Sequence, residues 1–468
     1  MSEVTGKPVQ LSVPLRRPAF RRLASAYAIN ELGDWLGIIA LAVLVFDRTD
    51  SALATAALFL GTRFLPALLA PLLVVNAERS PARSALTIIY VLEAGAFATL
   101  ALLANDFTLG FVVAVAALDG TLALAGRSLT RAVVVALLEP TGELRAGNAI
   151  MNVAFTAGSA VGPALAGVIV GGVALGNSTI GGFGVQTALF LDAVSFALIA
   201  CLMAAGPLPH AEPEEGRWRE RFRAGATYVA SRIPLRRLLI AQGAAFVFFT
   251  AVLPIEVIYA KETLNAGDAG YGALLASWGI GMVLGSVVFA ALRARGLPLL
   301  LLGSTIVIGL SYLGLAAAPS LGVACLVSVV GGAGNGIEWV ACISAIQEMT
   351  RSSMQARVMS VLESVGAAMP GVGFLIGGLI ATGHDPRAVF LVSGVGVLVV
   401  AAIATYYLAG TAWTKGEVAI GPSSLDEPPE SGMLKSGETA PPIFGAEAEP
   451  PAPPEESAAE MDQTRNRI

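Results

Sequence analysis

The chain has 468 residues, of which 55% are hydrophobic and only 13% charged, and its mean hydropathy is +0.73. Soluble domains carry about 25% charged residues, so a soluble globular protein is excluded and an integral membrane protein is indicated. The net charge of −5 does not mark a nucleic-acid partner, because the acidic excess lies in the tail: after Trp413 come four basic residues and eleven acidic ones.

Residues 1–19 form a short arm with Arg16 and Arg17 and no apolar h-region, so no cleaved signal peptide is expected. Apolar runs long enough to span a bilayer follow at 20–46, 52–76, 84–104, 107–127, 148–172 and 185–206. A polar stretch, 207–234, separates them from six more at 235–259, 270–292, 298–318, 321–346, 357–382 and 386–410. Residues 411–468 are acidic, rich in Pro and poor in aromatics, a composition that predicts disorder. The expected fold is therefore all-α, with twelve transmembrane helices in two six-helix bundles, 20–206 and 235–410. Twelve spans place both ends on one side. Loops on that side hold 21 basic residues, against three (Arg48, Lys261, Arg387) on the other, so both termini are expected in the cytoplasm.

Two halves of six spans suggest an internal repeat. Glu139-Pro140-Thr141 before span five has a counterpart in Glu348-Met349-Thr350 before span eleven. Arg145 and Arg357 then open those spans. Span five carries Gly158, Gly162, Gly167 and Gly171 with Ser159, read as one helical face. Span eleven carries Gly366, Gly371, Gly373, Gly377 and Gly378. Small residues at such spacing let helices approach closely in lipid. Pro163 and Pro370 each remove a backbone bond and permit a bend. Both helices read as a hinge or a seal.

Charges inside spans are costly and mark candidate functional groups. Asp34 in span one and Arg63 in span two lie at similar depth, which suggests a buried pair that protonation or substrate would break. Glu31 is one turn from Asp34 on the same face and is a candidate proton carrier. Glu93 and Asp119 are mid-span and could face a substrate cavity. Glu338, with Trp339, follows the Gly331–Gly336 run and could meet a cationic amphiphile. Asp192 and Glu256 read as lying toward the outer ends, in reach of water. The three cysteines sit in apolar runs with no disulfide or metal spacing. No metal site, cofactor, nucleotide-binding loop or nucleophile-and-base set is visible, so an enzyme is not expected. The expected partners are a small-molecule substrate, protons and the lipid bilayer, with the protein a monomer.

With this pattern the chain resembles the major facilitator superfamily, and within it the multidrug, macrolide and siderophore exporter branch. Gly158-x-x-x-Gly162-Pro163-x-x-Ala166-Gly167 is similar to the superfamily's fifth-helix antiporter motif, with Ala166 in place of a glycine. Phe20 through Leu23 and Asn30 through Trp35 resemble the branch's first helix, and Gly279-x-Gly281-x-x-x-Gly285 its eighth. Glu78, Arg79 and Arg83 keep the charge pattern of the loop that latches the halves in the family, with Val74 where that motif has glycine. The resemblance implies a two-lobed secondary transporter of the inner membrane, exporting a small amphipathic molecule by proton-coupled antiport. Two alternatives stay open: an uptake symporter of the same fold, and a non-transporting scaffold or sensor acting through the acidic tail.

Overall fold

The computed structural model describes residues 13–69, 80–175, 178–209, 218–292, 295–351 and 354–408. Glu78, Arg79 and the acidic tail lie outside the described residues. Within them, twelve helices are long and apolar enough to cross a membrane. The first lobe consists of α1 (Pro18–Thr49), α2 (Ala52–Leu69), α3 (Ala82–Leu102), α4 (Leu109–Leu138), α5 (Leu144–Gly171) and α6 (Gly184–Ala204). A short helix, α7 (Trp218–Ser231), follows. The second lobe consists of α8 (Ile233–Thr263), α9 (Gly267–Leu292), α10 (Leu297–Ala317), α11 (Leu321–Met349), α12 (Gln355–Gly383) and α13 (Pro386–Leu408). We call the side holding Pro18 and α7 the near side, and the opposite one the far side.

Local chemistry sets the helix ends. Pro opens α1, α8 and α10 within their first two positions, where a missing N–H costs nothing. The Ser51 hydroxyl caps α2 by accepting from Ala54 N, the usual role of an N-cap serine. Beyond α5 the chain turns at Gly172 (φ 73°) into a small antiparallel hairpin, β1 (Val173–Leu175) with β2 (Ser178–Ile180). Ile88 and Leu326 are more than half exposed, as suits side chains that face lipid.

The stretch 207–234, read from sequence as a polar loop, contains α7. Its polar residues hide one apolar side: Phe222, Ala226, Tyr228 and Val229 pack with Val358, Val361 and Leu362 of α12. The Tyr228 hydroxyl accepts from Arg351 N at 3.2 Å, which ties α7 to the near end of the second lobe.

The lobes meet on the far half. Gly167 and Gly171 of α5 lie against Gly272 and Asp268 of α9, and Gly371 and Gly378 of α12 against Phe64 and Ala56 of α2. The two Gly- and Pro-bearing helices thus occupy corresponding places, each packed on a helix of the other lobe. Lys261 of α8 pairs with Asp47 of α1 across the far side and with Asp268 at 2.7 Å. On the near half the lobes stand apart. No residue of α5 from 148 to 157 is buried, nor any of α9 from 286 to 292. The ion pair spanning the lobes there is Arg131–Glu363, at 3.6 Å with both side chains largely exposed.

At the near surface of the first lobe, Arg17 donates two hydrogen bonds to Glu143, at 2.8 and 3.0 Å. The bond to Arg17 holds the Glu143 carboxyl below its ordinary value of 4.5. A depressed carboxyl stabilises the fold above its ordinary value, and that contribution is lost as pH falls through the lowered one. Thermal melts of purified protein should therefore show a drop in stability below pH 4.5 that is smaller in Glu143→Gln. Identical acid profiles for the two proteins would refute this role.

Candidate functional site

The first lobe gathers charge where a membrane protein can least tolerate it. Four helices contribute carboxyl groups: Glu31 and Asp34 from α1, Glu93 from α3, Asp119 from α4 and Asp192 from α6. Glu31, Glu93 and Asp192 are 3%, 0% and 0% exposed. Asp34 interacts electrostatically with Arg127 and Arg63. Glu93 and Asp192 each interact with Asp34 and Asp119. Four of these carboxyl groups thus share two guanidinium groups, and Asp192 faces Asp34 and Asp119. Both oxygens of Glu93 and one each of Glu31, Asp119 and Asp192 have no hydrogen-bond partner.

The partner of Asp34 differs from the one the sequence suggested. Arg127 of α4, not Arg63, makes the ion pair, with Nη2 at 3.2 Å from Asp34 Oδ2. Asn30, one turn back, donates to the same oxygen at 3.2 Å. The sequence reading ended span four at residue 127 and left Arg127 in a loop. In the structure α4 continues to Leu138 and carries Arg127 into the lobe beside α1. Arg63 contributes charge without a contact: it interacts with Asp34, Glu31 and Asp119 and keeps accessible surface. It lies in a π-type turn, Leu60–Phe64, just before Pro66. A Cβ at Gly120 of α4 would stand 2.5 Å from Thr62 O and 2.7 Å from the Pro66 ring. Gly120 therefore makes room for the widened turn. Such single wide turns recur at functional sites.

Asp192 is a second correction. Eight residues in from the far end of α6, it is fully buried against α1 and out of reach of water. Gly33 makes the space: a Cβ there would meet Asp192 Oδ1 at 2.5 Å. The Ser195 hydroxyl donates to Oδ1 at 3.1 Å. The sequence signal was available, since Gly33 and Gly37 flank the Asp34 turn on α1, but depth along α6 could not be read from hydropathy. Among the described residues, no three His, Cys, Asp or Glu side chains lie close enough to share one metal ion.

The glycines of α5 fall on two faces rather than one. Gly158 and Gly162 lie against Glu31 and Trp35 of α1, with hypothetical Cβ contacts of 2.8 Å to both. Gly167 faces α9, where its Cβ would meet Gly272 Cα at 2.8 Å, and the Pro163 carbonyl abuts the same Gly272. So α5 is sandwiched between the charge-bearing helix of its own lobe and a helix of the other.

Glu338 and Trp339 sit in the second lobe, away from the carboxyl cluster. Glu338 is 5% exposed with Gln242 beside it. Trp339 is 41% exposed and meets Phe246 of α8 with ring centroids 6.2 Å apart. Arg83, assigned by resemblance to the latch loop, donates to Ala204 O at the end of α6 in its own lobe. Cations favour such a helix C-terminus, so Arg83 serves to hold α3 to α6.

Residues 10–430 match the family model described as transmembrane secretion effector. No curated protein matches the chain. The fold is similar to that of the nucleoside transporter NupG (TM-score 0.68, 12% identity, covering 83% of this chain and 99% of that one). It is also similar to a peptide transporter of the POT group (TM-score 0.64, 14% identity, 83% and 94% covered). A bacterial homologue of the lysosomal transporter Spinster, solved in an inward-facing state, resembles it too (TM-score 0.61, 15% identity, 85% and 96% covered). The chain belongs to the transmembrane secretion effector family of major facilitator superfamily transporters.

Proposed function

We propose that this transporter is a secondary exporter of a small amphipathic molecule, driven by proton entry and working by alternating access. One observation carries the reading: the first lobe holds five carboxyl groups, of which four share two guanidinium groups and the fifth, Asp192, faces Asp34 and Asp119. An unpaired buried charge is too costly to persist, so the excess is neutralised by protons that enter and leave with the transport cycle. Asp34, Glu31, Arg63 and Arg127 form the coupling group, with Glu93, Asp119 and Asp192 behind them. The near side faces the cytoplasm, where the basic loops lie. The state described here, closed on the far half and apart on the near half, is then the one that loads substrate from inside. Gly158, Gly162, Pro163 and Gly167 carry the change between the coupling group and the other lobe. Substrate and proton select states only through contacts that differ between them.

The test is efflux from everted membrane vesicles or loaded cells, with cationic dyes, macrolides and siderophores, with and without a protonophore. Protonophore-sensitive export that Asp34→Asn removes, with the protein still in the membrane, is the expected result. Export that survives the substitution would overturn the assignment of Asp34. Accumulation in place of depletion would make the protein an uptake symporter.

A further inference from the structure

The near end of α8 carries two arginines in a stripe turned away from its lobe. Ile233, Arg236, Arg237 and Ile240 are the exposed residues of its first two turns, while Leu235, Leu238 and Leu239 pack into the lobe. Further along, Gly243 packs on Val365 of α12, and Phe248 on Gly396 of α13. At about 100° per residue these contacts set the stripe between α12 and α13, on the outside of the bundle. Ile233 and Ile240 are each more than half exposed, so apolar surface lies on both sides of the arginines along the helix. A guanidinium group at that depth must reach water or an anion.

Both side chains are held in place from one corner. Arg237 donates from Nη1 to Tyr407 O, in the last turn of α13, at 2.8 Å, and its guanidinium carbon lies 5.5 Å from the centre of the Tyr407 ring. Arg236 donates from Nη1 to Ala230 O of α7 at 3.2 Å. Neither pairs with a carboxylate among the described residues. Each of these bonds uses one N–H of a fork that has five. Between Glu220 and Glu256 the chain has no acidic residue, and α13 has none. Tyr407 and its neighbour Tyr406 are more than half exposed, and exposed tyrosines mark the level where a bilayer meets water. Ile240 of α8 and Ile403 of α13 lie one turn deeper on the two helices, and both are more than half exposed.

We propose that the near end of the α8–α13 seam binds one anionic phospholipid of the near leaflet, its phosphate held by Arg236 and Arg237 and its acyl chains laid over Ile240 and Ile403. Planar guanidinium forks suit phosphate oxygens. A zwitterionic lipid offers the same phosphate together with an ammonium group, for which this surface holds no carboxylate. A phosphate held there joins the ends of α7, α8 and α13 at the membrane surface. The site goes beyond the exporter reading: it needs neither the coupling group nor a proton gradient, and it serves a transporter of either direction.

The test is native mass spectrometry of the purified full-length chain, titrated in detergent with phosphatidylglycerol, phosphatidylcholine, phosphatidylethanolamine or glycerol phosphate. One phosphatidylglycerol per chain should bind more tightly than either zwitterionic lipid, by about tenfold or more. Arg236→Gln and Arg237→Gln should each weaken it about fivefold, and the double variant should bind the three lipids alike. Arg351→Gln/Arg357→Gln, which removes equal charge around the near end of α12, should bind as wild type does. Equal binding of the three lipids by the wild type, a preference that survives the double variant, or an equal loss in the α12 control would overturn the site. Glycerol phosphate bound as tightly as phosphatidylglycerol would overturn the assignment to lipid. If Arg237→Gln does not fold for want of its bond to α13, Arg236→Gln, which keeps that bond, decides alone. Because Asp34→Asn should bind the lipid as wild type does, failure of export and failure of this site give separate results.

Discussion

Arg127→Gln is expected to cost about 2 kcal/mol of stability and to abolish proton-coupled transport. Breaking a fully buried ion pair from one side costs about 3–5 kcal/mol. Here the Arg127 and Asp34 side chains keep 30% and 22% of their surface accessible, so solvent screening reduces that figure. The loss of function is expected to exceed the loss of stability. Without Arg127 the carboxyl groups keep only Arg63, which makes no direct contact with Asp34, and the group holds its protons throughout the cycle. Arg127→Lys keeps the charge but offers a compact ammonium in place of a planar fork, and should recover part of the activity. The double variant Asp34→Asn/Arg127→Gln removes both charges and should fold better than Arg127→Gln alone. Melting temperature and protonophore-sensitive efflux, measured for all four proteins, check this. A stable Arg127→Gln variant with full coupling would show that the pair is incidental.

Gly167→Val should be the more damaging change at the seam between lobes. Its Cβ would stand 2.8 Å from Gly272 Cα and 3.3 Å from Gly272 N, and backbone cannot swing away as a side chain can. Overpacking usually costs about 1–3 kcal/mol, and the valine adds two methyl groups to an already forbidden contact. The lobes would be wedged apart on the far half. The expected readout is a gain of labelling from the far side at a cysteine placed beside Lys261, together with loss of export. Gly95→Val is the control, since nothing lies within 4 Å of a Cβ there. Equal labelling of wild type and Gly167→Val would remove the seam from the argument.

Much of this architecture was legible in the chain. Hydropathy and the basic residues placed twelve helices, and the paired Gly- and Pro-bearing helices announced the two-lobed arrangement. Carboxyl groups inside spans were recognisable because hydrocarbon tolerates so few. Their partners were not, for reasons of register. Arg127 and Arg131 punctuate α4 near the point where an apolar run must end, so the helix was cut short before it could bring Arg127 to Asp34. The depth of Asp192 depends on how α6 slides against Gly33, which no one-dimensional profile contains. The division of the α5 glycines into two faces was legible but misread: at about 3.6 residues per turn Gly167 lies about 180° around the helix from Gly158, so the wheel itself separates the face toward α1 from the face toward α9. Helix α7 escaped because its arginines outweigh the few apolar residues that pack on α12. The wide turn at Arg63 has a signal in Pro66, which indicates a bend but not the extra residue per turn.

The contact between Gly167 and Gly272 also fixes a mechanical ratio. Gly167 is four residues from the far end of α5, at Gly171, and twenty-three from its near end, at Leu144. At 1.5 Å per residue these are arms of about 6 and 35 Å. A tilt of about 10° around that fulcrum moves the near end about 6 Å and the far end about 1 Å. The near mouth can therefore widen or narrow substantially while the far seam scarcely moves. A second close approach between the lobes, Ser159 O against Gly279, is present in the same structure eight residues further toward the near end of α5. Two glycine-lined contacts, Gly167 with Gly272 and Ser159 with Gly279, thus pin α5 to α9 at two heights.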